Sequence, residues 1–366
     1  MATKKHYYNL KKILSFNADY NIIIGERSNG KTYGVLKHCI QDYVQNGNKF
    51  VYIRRWKEDI IGKRGDVIFT ALIQNLEIVK ITNNEFTNCV LSGGKFYLAN
   101  YDEKLKKMIP SNDYFCHLVS LSDMEHDKSL SFSGVKNIVF DEFLTRRYYL
   151  KDEFMIFMNV LSTIIRDRKD IKIFMLGNTV NKYCPYFTEL GINIENLKQG
   201  SIDLYHYGNS ELLLAIEYCN DGLKQKKESN KYFAFNNPRL NMIKSGQWEL
   251  DIYPHLPPNY KIKDNEILFS FYVLFVDKII QGDIIQQGTD LFLFFHYKTT
   301  EIKDKENSLI YSLNNNVQIN YRKNLLRGIG KLENKINTLF AMNKVFYQNN
   351  EIGEIIHNYN LQANNR

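Results

Sequence analysis

Residues Gly25-Glu26-Arg27-Ser28-Asn29-Gly30-Lys31-Thr32 fit the pattern G-x-x-x-x-G-K-[ST]. Glycines in such a loop let backbone N–H groups turn inward on phosphate oxygens, and the helix that follows adds the partial positive charge of its N-terminus. In that chemistry Gly25, Ser28, Asn29 and Gly30 shape the cradle. Lys31 reaches the β- and γ-phosphates of a nucleoside triphosphate, and the Thr32 hydroxyl ligates Mg2+. Arg27, inside the loop, either touches the γ-phosphate or faces solvent. Further along, Asn137-Ile138-Val139-Phe140-Asp141-Glu142 is an apolar run closed by two carboxylates. Asp141 suits a Mg2+ ligand acting through the metal's water shell, and Glu142 suits a base that polarises attacking water.

The second carboxylate separates reaction classes. A small-molecule kinase must exclude water, whereas a glutamate beside the metal site activates it, so hydrolysis is expected. A guanine-reading NKxD is missing, since Asn181-Lys182 is followed by Tyr183 and Cys184. ATP is therefore the expected nucleotide, with Mg2+ as its cofactor. The apolar run Ile171–Leu176 leads into Gly177-Asn178-Thr179, where Asn178 is either a γ-phosphate sensor or an ordinary turn asparagine.

Two groups of cations remain. Arg166 and Arg168 end an amphipathic stretch, where favourable contact with a helix dipole is one explanation. Residues two apart face nearly opposite sides of a helix, so the pair cannot share a role; Arg166 is the candidate arginine finger offered to a neighbouring subunit, with Arg168 structural. The second group comprises Arg54, Arg55 and Lys57 at the end of Lys49–Ile53, together with Lys104, Lys106 and Lys107. Lys and Arg supply the phosphate contacts that hold a protein on a duplex without reading its sequence, so both clusters are candidate DNA contacts.

These residues need a scaffold. Ile22–Ile24, Phe50–Ile53, Ile138–Phe140 and Ile171–Leu176 are short, unbroken apolar runs, as strands covered on both faces should be. Between them lie stretches of helical period: Val35, Cys39 and Tyr43 recur with Leu36, Ile40 and Val44 before Gly47, and Phe154, Met158, Leu161 and Ile165 share a face. Strands alternating with helices predict an α/β domain with a parallel sheet and helices on both faces. We expect this domain over residues 1–204, a linker or lid over 205–255, and a second domain over 256–366. In the last, Ile267–Val276 and Leu291–Tyr297 read as strands flanking a loop from Gly282 to Asp290, and Leu332, Ile336, Leu339 and Phe340 share a helical face.

Composition narrows the setting. A chain of 366 residues with 44% hydrophobic and 24% charged residues is globular and long enough for two domains. Its net charge of +8 suits a polyanionic partner without requiring one. Five scattered cysteines without a CxxC pair read as reduced thiols. The charged start MATKKHYYNLKK does not read as a signal peptide, and Ile267–Val276 is too short to span a membrane, so no membrane partner is expected and the cytoplasm is the expected location.

In their order and spacing, YNIIIGERSNGKTYG, KFVYIRRWK, NIVFDEF, the IIRDR helix end and IFMLGNTVNKYCPYF resemble the DNA encapsidation ATPases of small, protein-primed tailed phages. The likeness covers roughly residues 10–190. It implies a P-loop ATPase of the additional-strand, catalytic-glutamate class, forming a ring (a homopentamer in this family) that drives double-stranded DNA through the portal, or connector, into a procapsid. It also implies docking through a structural packaging RNA, and action in the host cytoplasm at the portal vertex rather than in the finished virion. By motif it makes Lys31, Asp141 and Glu142 catalytic, Arg166 the trans-acting arginine and Lys57 a pore-side DNA contact. Lys128, thirteen residues before Asp141, matches a lysine that reaches the adjacent subunit's site. The family's C-terminal domain resembles an RNase H-like nuclease stripped of its acids. Here Asp277 and Asp283 flank the first apolar hairpin without a convincing third acid, so an inactive domain is expected. Two alternatives stand beside this reading: a terminase-type enzyme with a live nuclease, and a nucleotide-dependent binding switch that does not translocate.

Overall fold

The computed structural model describes residues 8–123, 131–219, 248, 251–328 and 330–365. The chain divides into two compact units, Met1–Trp248 and Glu249–Arg366.

The first unit is built on a sheet of nine strands: β1 (Tyr20–Gly25), β2 (Lys49–Arg54), β3 (Asn88–Ser92), β4 (Lys95–Asp102), β5 (Lys107–Ser120), β6 (Val135–Asp141), β7 (Lys172–Asn178), β8 (Ile202–His206) and β9 (Leu213–Tyr218). Their order is β3-β4-β5-β2-β6-β7-β1-β9-β8. Neighbours from β5 to β9 run parallel, while β3, β4 and β8 join antiparallel at the two edges. The strand β7 lies between β1, which carries the glycine loop, and β6, which carries the acidic pair. The expected boundary at residue 204 falls inside β8, so the sheet continues past it to Tyr218. The reason is pairing: β9 lies parallel to β1 and brings β8 with it, a long-range match that composition does not announce. Most of the expected linker, 220–247 and 249–250, lies outside the described residues.

Both faces of this sheet are covered. On one, the helix α1 (Lys31–Asn46) buries Val35, Leu36, Cys39 and Ile40 in a core with Phe50, Tyr52, Phe69 and Phe115. On the other, the helix α2 (Glu153–Ile165) buries Phe157, Val160, Leu161 and Ile164 against Val51, Ile53, Phe140 and Phe143. Alternate residues of a strand face opposite ways, so Phe50 and Tyr52 serve the first core while Val51 and Ile53 serve the second.

The second unit holds a six-stranded sheet of β10 (Ile267–Phe275), β11 (Lys278–Gln287), β12 (Asp290–Tyr297), β13 (Ile310–Ser312), β14 (Tyr321–Arg322) and β15 (Val345–Tyr347), ordered β14-β13-β10-β11-β12-β15. The strands β10, β11 and β12 form an antiparallel meander, and β13 and β15 add parallel on either side. The stretch from Gly282, expected as a loop, is instead the middle of β11; Gly282 keeps its place there because a Cβ would meet the Phe271 ring at 2.4 Å. The helix α3 (Lys331–Ala341) buries Ile336 and Leu339 on the expected face, and α4 (Asn350–Asn365) closes the chain. No helix among the described residues is long and apolar enough to cross a membrane.

Candidate active site

The parallel strands β1, β2, β6 and β7 all end at one edge of the sheet, the edge where open α/β sheets collect ligands. There Gly25, Arg54, Asp141 and Asn178 are strand ends, and Asp141 and Asn178 border a cavity of about 680 Å3. Its walls include the loop from Arg27 to Thr32, then Asp141, Glu142, Arg146, Gly177 and Asn178. Gly30 enters α1 at φ +92°, a conformation side chains rarely adopt. Gly177 lets β7 approach Leu144, whose side chain a Cβ would meet at 2.8 Å.

Lys31 is buried, and its Nζ donates to Glu26 O at 2.7 Å, to Gly25 O and Asn29 Oδ1 at 3.2 Å, and to Asn178 Oδ1 at 3.3 Å. Burial pulls its pKa down to about 8, against the opposing pull of Cys219, Asp141 and Glu26. Asn178 is thus the last strand residue of β7 and a direct partner of Lys31. Thr32 Oγ1 lies 3.2 Å from Asp141 Oδ1. A hydroxyl beside a buried carboxylate is the oxygen-rich pair that a hard cation such as Mg2+ takes, so the residues fit that metal.

Two residues of β2 and the one that follows it decide the rest. Tyr52, buried, donates its hydroxyl to Asp141 Oδ2 at 2.8 Å. Arg54 shares that face of the strand, and its Nη2 donates to Glu142 Oε2 at 2.6 Å, with Nη1 3.9 Å from Asp141 Oδ2. Burial disfavours the Arg54 charge, but Tyr52, Glu142 and Asp141 together hold its pKa above the ordinary arginine value. Glu142 itself is more than half exposed and has φ +58°, in the left-handed region.

Arg55 points the other way. It is buried, its Nε and Nη2 donate to the two carboxylate oxygens of Glu153 at 2.7 and 2.9 Å, and its Nη groups reach the carbonyls of Glu142 and Phe143. The Tyr149 ring stacks over the guanidinium at 4.9 Å. Of the two arginines expected on DNA, Arg54 is bound to the acidic pair and Arg55 is an internal brace for the chain after it. The physical reason is that β2 sits next to β6, so the end of its basic run falls among carboxylates.

Lys57 is half exposed and pairs with Asp123 at 2.7 Å. Lys104, Lys106 and Lys107 are exposed at the turn of the β4–β5 hairpin, beside exposed Tyr101 and Leu105. Arg166 is exposed at the C-cap of α2 with φ +50° and is not among the residues lining its own chain's cavity. Arg168 bonds to the carbonyls of Ile164, Ile165 and Val135, a helix-end clasp. Lys128 lies outside the described residues. Sequence reasoning missed Tyr52, and also Arg146 and Arg147 of the cavity wall; Arg146 donates to Val180 O at 3.0 Å. A signal for Tyr52 was available, because it stands two residues before Arg54 on a strand.

The loop, the acidic pair and the intervening strand at one sheet edge define the P-loop class of nucleotide-binding proteins. The family described as the podovirus DNA encapsidation protein (Gp16) matches residues 2–226, and the chain belongs to it. The chain is similar to the DNA packaging protein of Bacillus phage PZA, 28% identical over 195 residues that cover 50% of this chain and 50% of that protein. It is also similar to the DNA packaging protein of Bacillus phage B103, 29% identical over 256 residues, or 61% of this chain and 72% of that one. The match to the PZA protein thus spans only half of that relative's length. In structure, the chain resembles one from the bacteriophage Phi-29 viral genome packaging motor assembly, with TM-score 0.54, 18% identity and coverage of 98% and 99%. A chain of the Phi-28 gp11 DNA packaging motor gives TM-score 0.53, 19% identity and coverage of 97% and 98%. At these identities the likeness is one of fold.

Proposed function

We propose that this chain is an ATP-driven motor that moves double-stranded viral DNA into a preformed procapsid. The observation that carries the reading is the convergence of Lys31, Thr32, Asp141, Glu142 and Asn178 on one cavity, in a member of a DNA encapsidation family. Lys31 and the loop amides bind and orient the phosphates. Thr32 and Asp141 would hold Mg2+, which when bound offsets phosphate charge. Glu142 aligns and deprotonates the attacking water once it has left Arg54, because a carboxylate tied to a guanidinium is a poorer base. Arg166, exposed and outside its own cavity, acts on a neighbouring subunit's ATP. That role asks for a ring, a pentamer by family likeness, seated at the portal and docked through packaging RNA. Lys57 and the hairpin lysines Lys104, Lys106 and Lys107 take the DNA phosphates.

The second unit is best read as an RNase H-like fold without nuclease activity. Its meander with β13 and β14 added beside β10 supports the fold. The Asp283 carboxylate is occupied by Ser270 at 2.6 Å and by Gln281 and His296 at 2.9 Å, which leaves it poorly disposed to a metal. Manganese-dependent nicking of plasmid that disappears in Asp277→Ala would instead favour a terminase-type enzyme. The main test measures ATP turnover with and without duplex DNA and procapsids. Turnover raised by both and lost in Lys31→Ala is expected; turnover indifferent to both would leave a nucleotide-dependent binding switch.

A further inference from the structure

Glu142 holds a backbone conformation, φ +58°, that a residue with a β-carbon adopts only when its surroundings impose it. The peptide groups on either side of it are tied. Its N–H donates to Asp141 Oδ1 at 3.0 Å, and the following N–H, of Phe143, donates to Leu176 O at 3.2 Å. Its carbonyl and that of Phe143 both accept from the Arg55 guanidinium, from Nη1 at 3.2 Å and from Nη2 at 2.7 Å. The direction of a Cα–Cβ bond follows from the backbone around it. Whatever fixes that backbone therefore sets how Glu142 stands in the wall of the cavity it lines.

Arg55 is in turn held by a carboxylate that serves two further groups. The oxygens of Glu153 accept from Arg55 Nε and Nη2, and also from the Leu150 N–H at 2.7 Å and the Tyr186 hydroxyl at 2.9 Å. Arg55 and Glu153 are only 5% and 3% exposed, so water does not replace either partner cheaply. Glu153 opens α2, and Tyr186 belongs to a short helix, Pro185–Glu189, beyond Asn178. One buried ion pair thus joins the end of β2, the chain after the acidic pair, the start of α2 and the segment that follows β7. A guanidinium suits this place and an ammonium does not. Its planar fork gives two parallel bonds to a carboxylate and keeps N–H groups for the carbonyls. Neutralising Glu153 would need the first pair of bonds alone; the second pair falls on Glu142 and its neighbour.

We propose that Arg55 is a positioning residue for Glu142: by holding the Glu142 and Phe143 carbonyls it fixes the left-handed backbone from which the glutamate reaches the attacking water. This rests on the reading of Glu142 as the base. Arg55→Lys keeps a cation beside Glu153 but has no second arm for the carbonyls. Arg55→Met combined with Glu153→Gln removes both charges, while the amide oxygen still accepts from Leu150 and Tyr186. In each, assayed below its own thermal midpoint, kcat should fall by about 10–100-fold, the scale for a misplaced catalytic group. The Kd of ATP with Mg2+, by calorimetry, should stay within about threefold, because Lys31 and the loop are untouched. Tyr186→Phe, which takes a bond from Glu153 and none from Glu142, should keep kcat within about threefold. The deciding measurement adds Arg55→Lys to Glu142→Gln. A residue that acts only through Glu142 causes no further loss once that glutamate is gone, whereas general damage multiplies with it. A double variant slower than Glu142→Gln by the full factor of Arg55→Lys alone overturns the proposal. So does an unchanged kcat in both Arg55 variants, or a loss in Tyr186→Phe as large as theirs. If Glu142→Gln by itself turns over ATP normally, the base reading fails first and the positioning role falls with it.

Discussion

The Arg54 guanidinium donates to Glu142 at 2.6 Å while standing 3.9 Å from Asp141, so one cation on β2 joins both carboxylates at the end of β6. The strand that ends in Arg54 continues into Lys57, so a load on the basic segment reaches the acidic pair through only a few residues. Replacing Arg54 with Gln should free Glu142 from this hold. The ratio of DNA-stimulated to basal ATP turnover is expected to fall toward one; an unchanged ratio would show that the pair does not restrain hydrolysis. Glu142→Gln should retain ATP binding and lose turnover by about 10²–10⁴-fold, the usual contribution of a positioned base.

Tyr52 holds the Asp141 oxygen that does not face Thr32. Tyr52→Phe keeps the ring in the core and removes that bond. The Mg2+ concentration for half-maximal turnover should rise several-fold while saturating-metal turnover changes little. A fall in maximal turnover with an unmoved metal requirement would deny Tyr52 this positioning role.

Arg55 and the hairpin lysines should separate cleanly. Arg55→Ala strands Glu153 in the core, and breaking such a buried pair costs about 3–5 kcal/mol. The thermal midpoint should drop by roughly 5–10 °C. Alanine at Lys104, Lys106 and Lys107 should leave the midpoint alone and flatten the dependence of DNA affinity on salt, by about 0.9 in logarithmic slope per lost phosphate contact.

Arg166→Ala and Glu142→Gln should each be inactive yet recover part of the ATP turnover when mixed, because the proposed ring would then contain sites with one intact glutamate and a neighbour's intact arginine. Mixtures as inactive as the separate variants would place Arg166 outside the neighbouring site.

The second unit carries a pH signature. Burial disfavours the charged His296 ring, but the bond to Asp283 outweighs it and raises the pKa above the ordinary histidine value; the neighbouring Lys298 opposes the rise. Burial likewise works against the Asp283 charge, and bonds from His296, Ser270 and Gln281 outweigh it and bring that pKa down. Stability linked to His296 is full below its unfolded pKa, about 6.5, and is lost as pH rises through the higher folded value. Stability linked to Asp283 is present above its unfolded value, about 3.9, and is lost as pH falls through the lower folded one. The thermal midpoint gap between the unaltered chain and His296→Gln should therefore be widest near pH 5 and close on the alkaline side; a gap independent of pH would break the linkage.

Chemistry that depends on adjacent residues could be read directly. The loop from Gly25 to Thr32 and the pair Asp141-Glu142 work through spacing of a few positions, and the strand or helix beside each shows in its own hydrophobic period. The same holds for α1 and α2, whose buried faces are those the period names. Arg54 and Arg55 mark where this stops. They are neighbours with the same charge, and by sequence both are candidate DNA contacts. Which carboxylate each meets depends on β6 lying beside β2, on alternate side chains of β2 pointing to opposite cores, and on the chain leaving the strand at Arg55. The closing of β9 on β1 and the placing of Arg146 in the cavity have the same origin. Residue order determined the groups that could handle a triphosphate. Tertiary pairing decided which cations face them, because contacts across a sheet join positions that no local spacing connects.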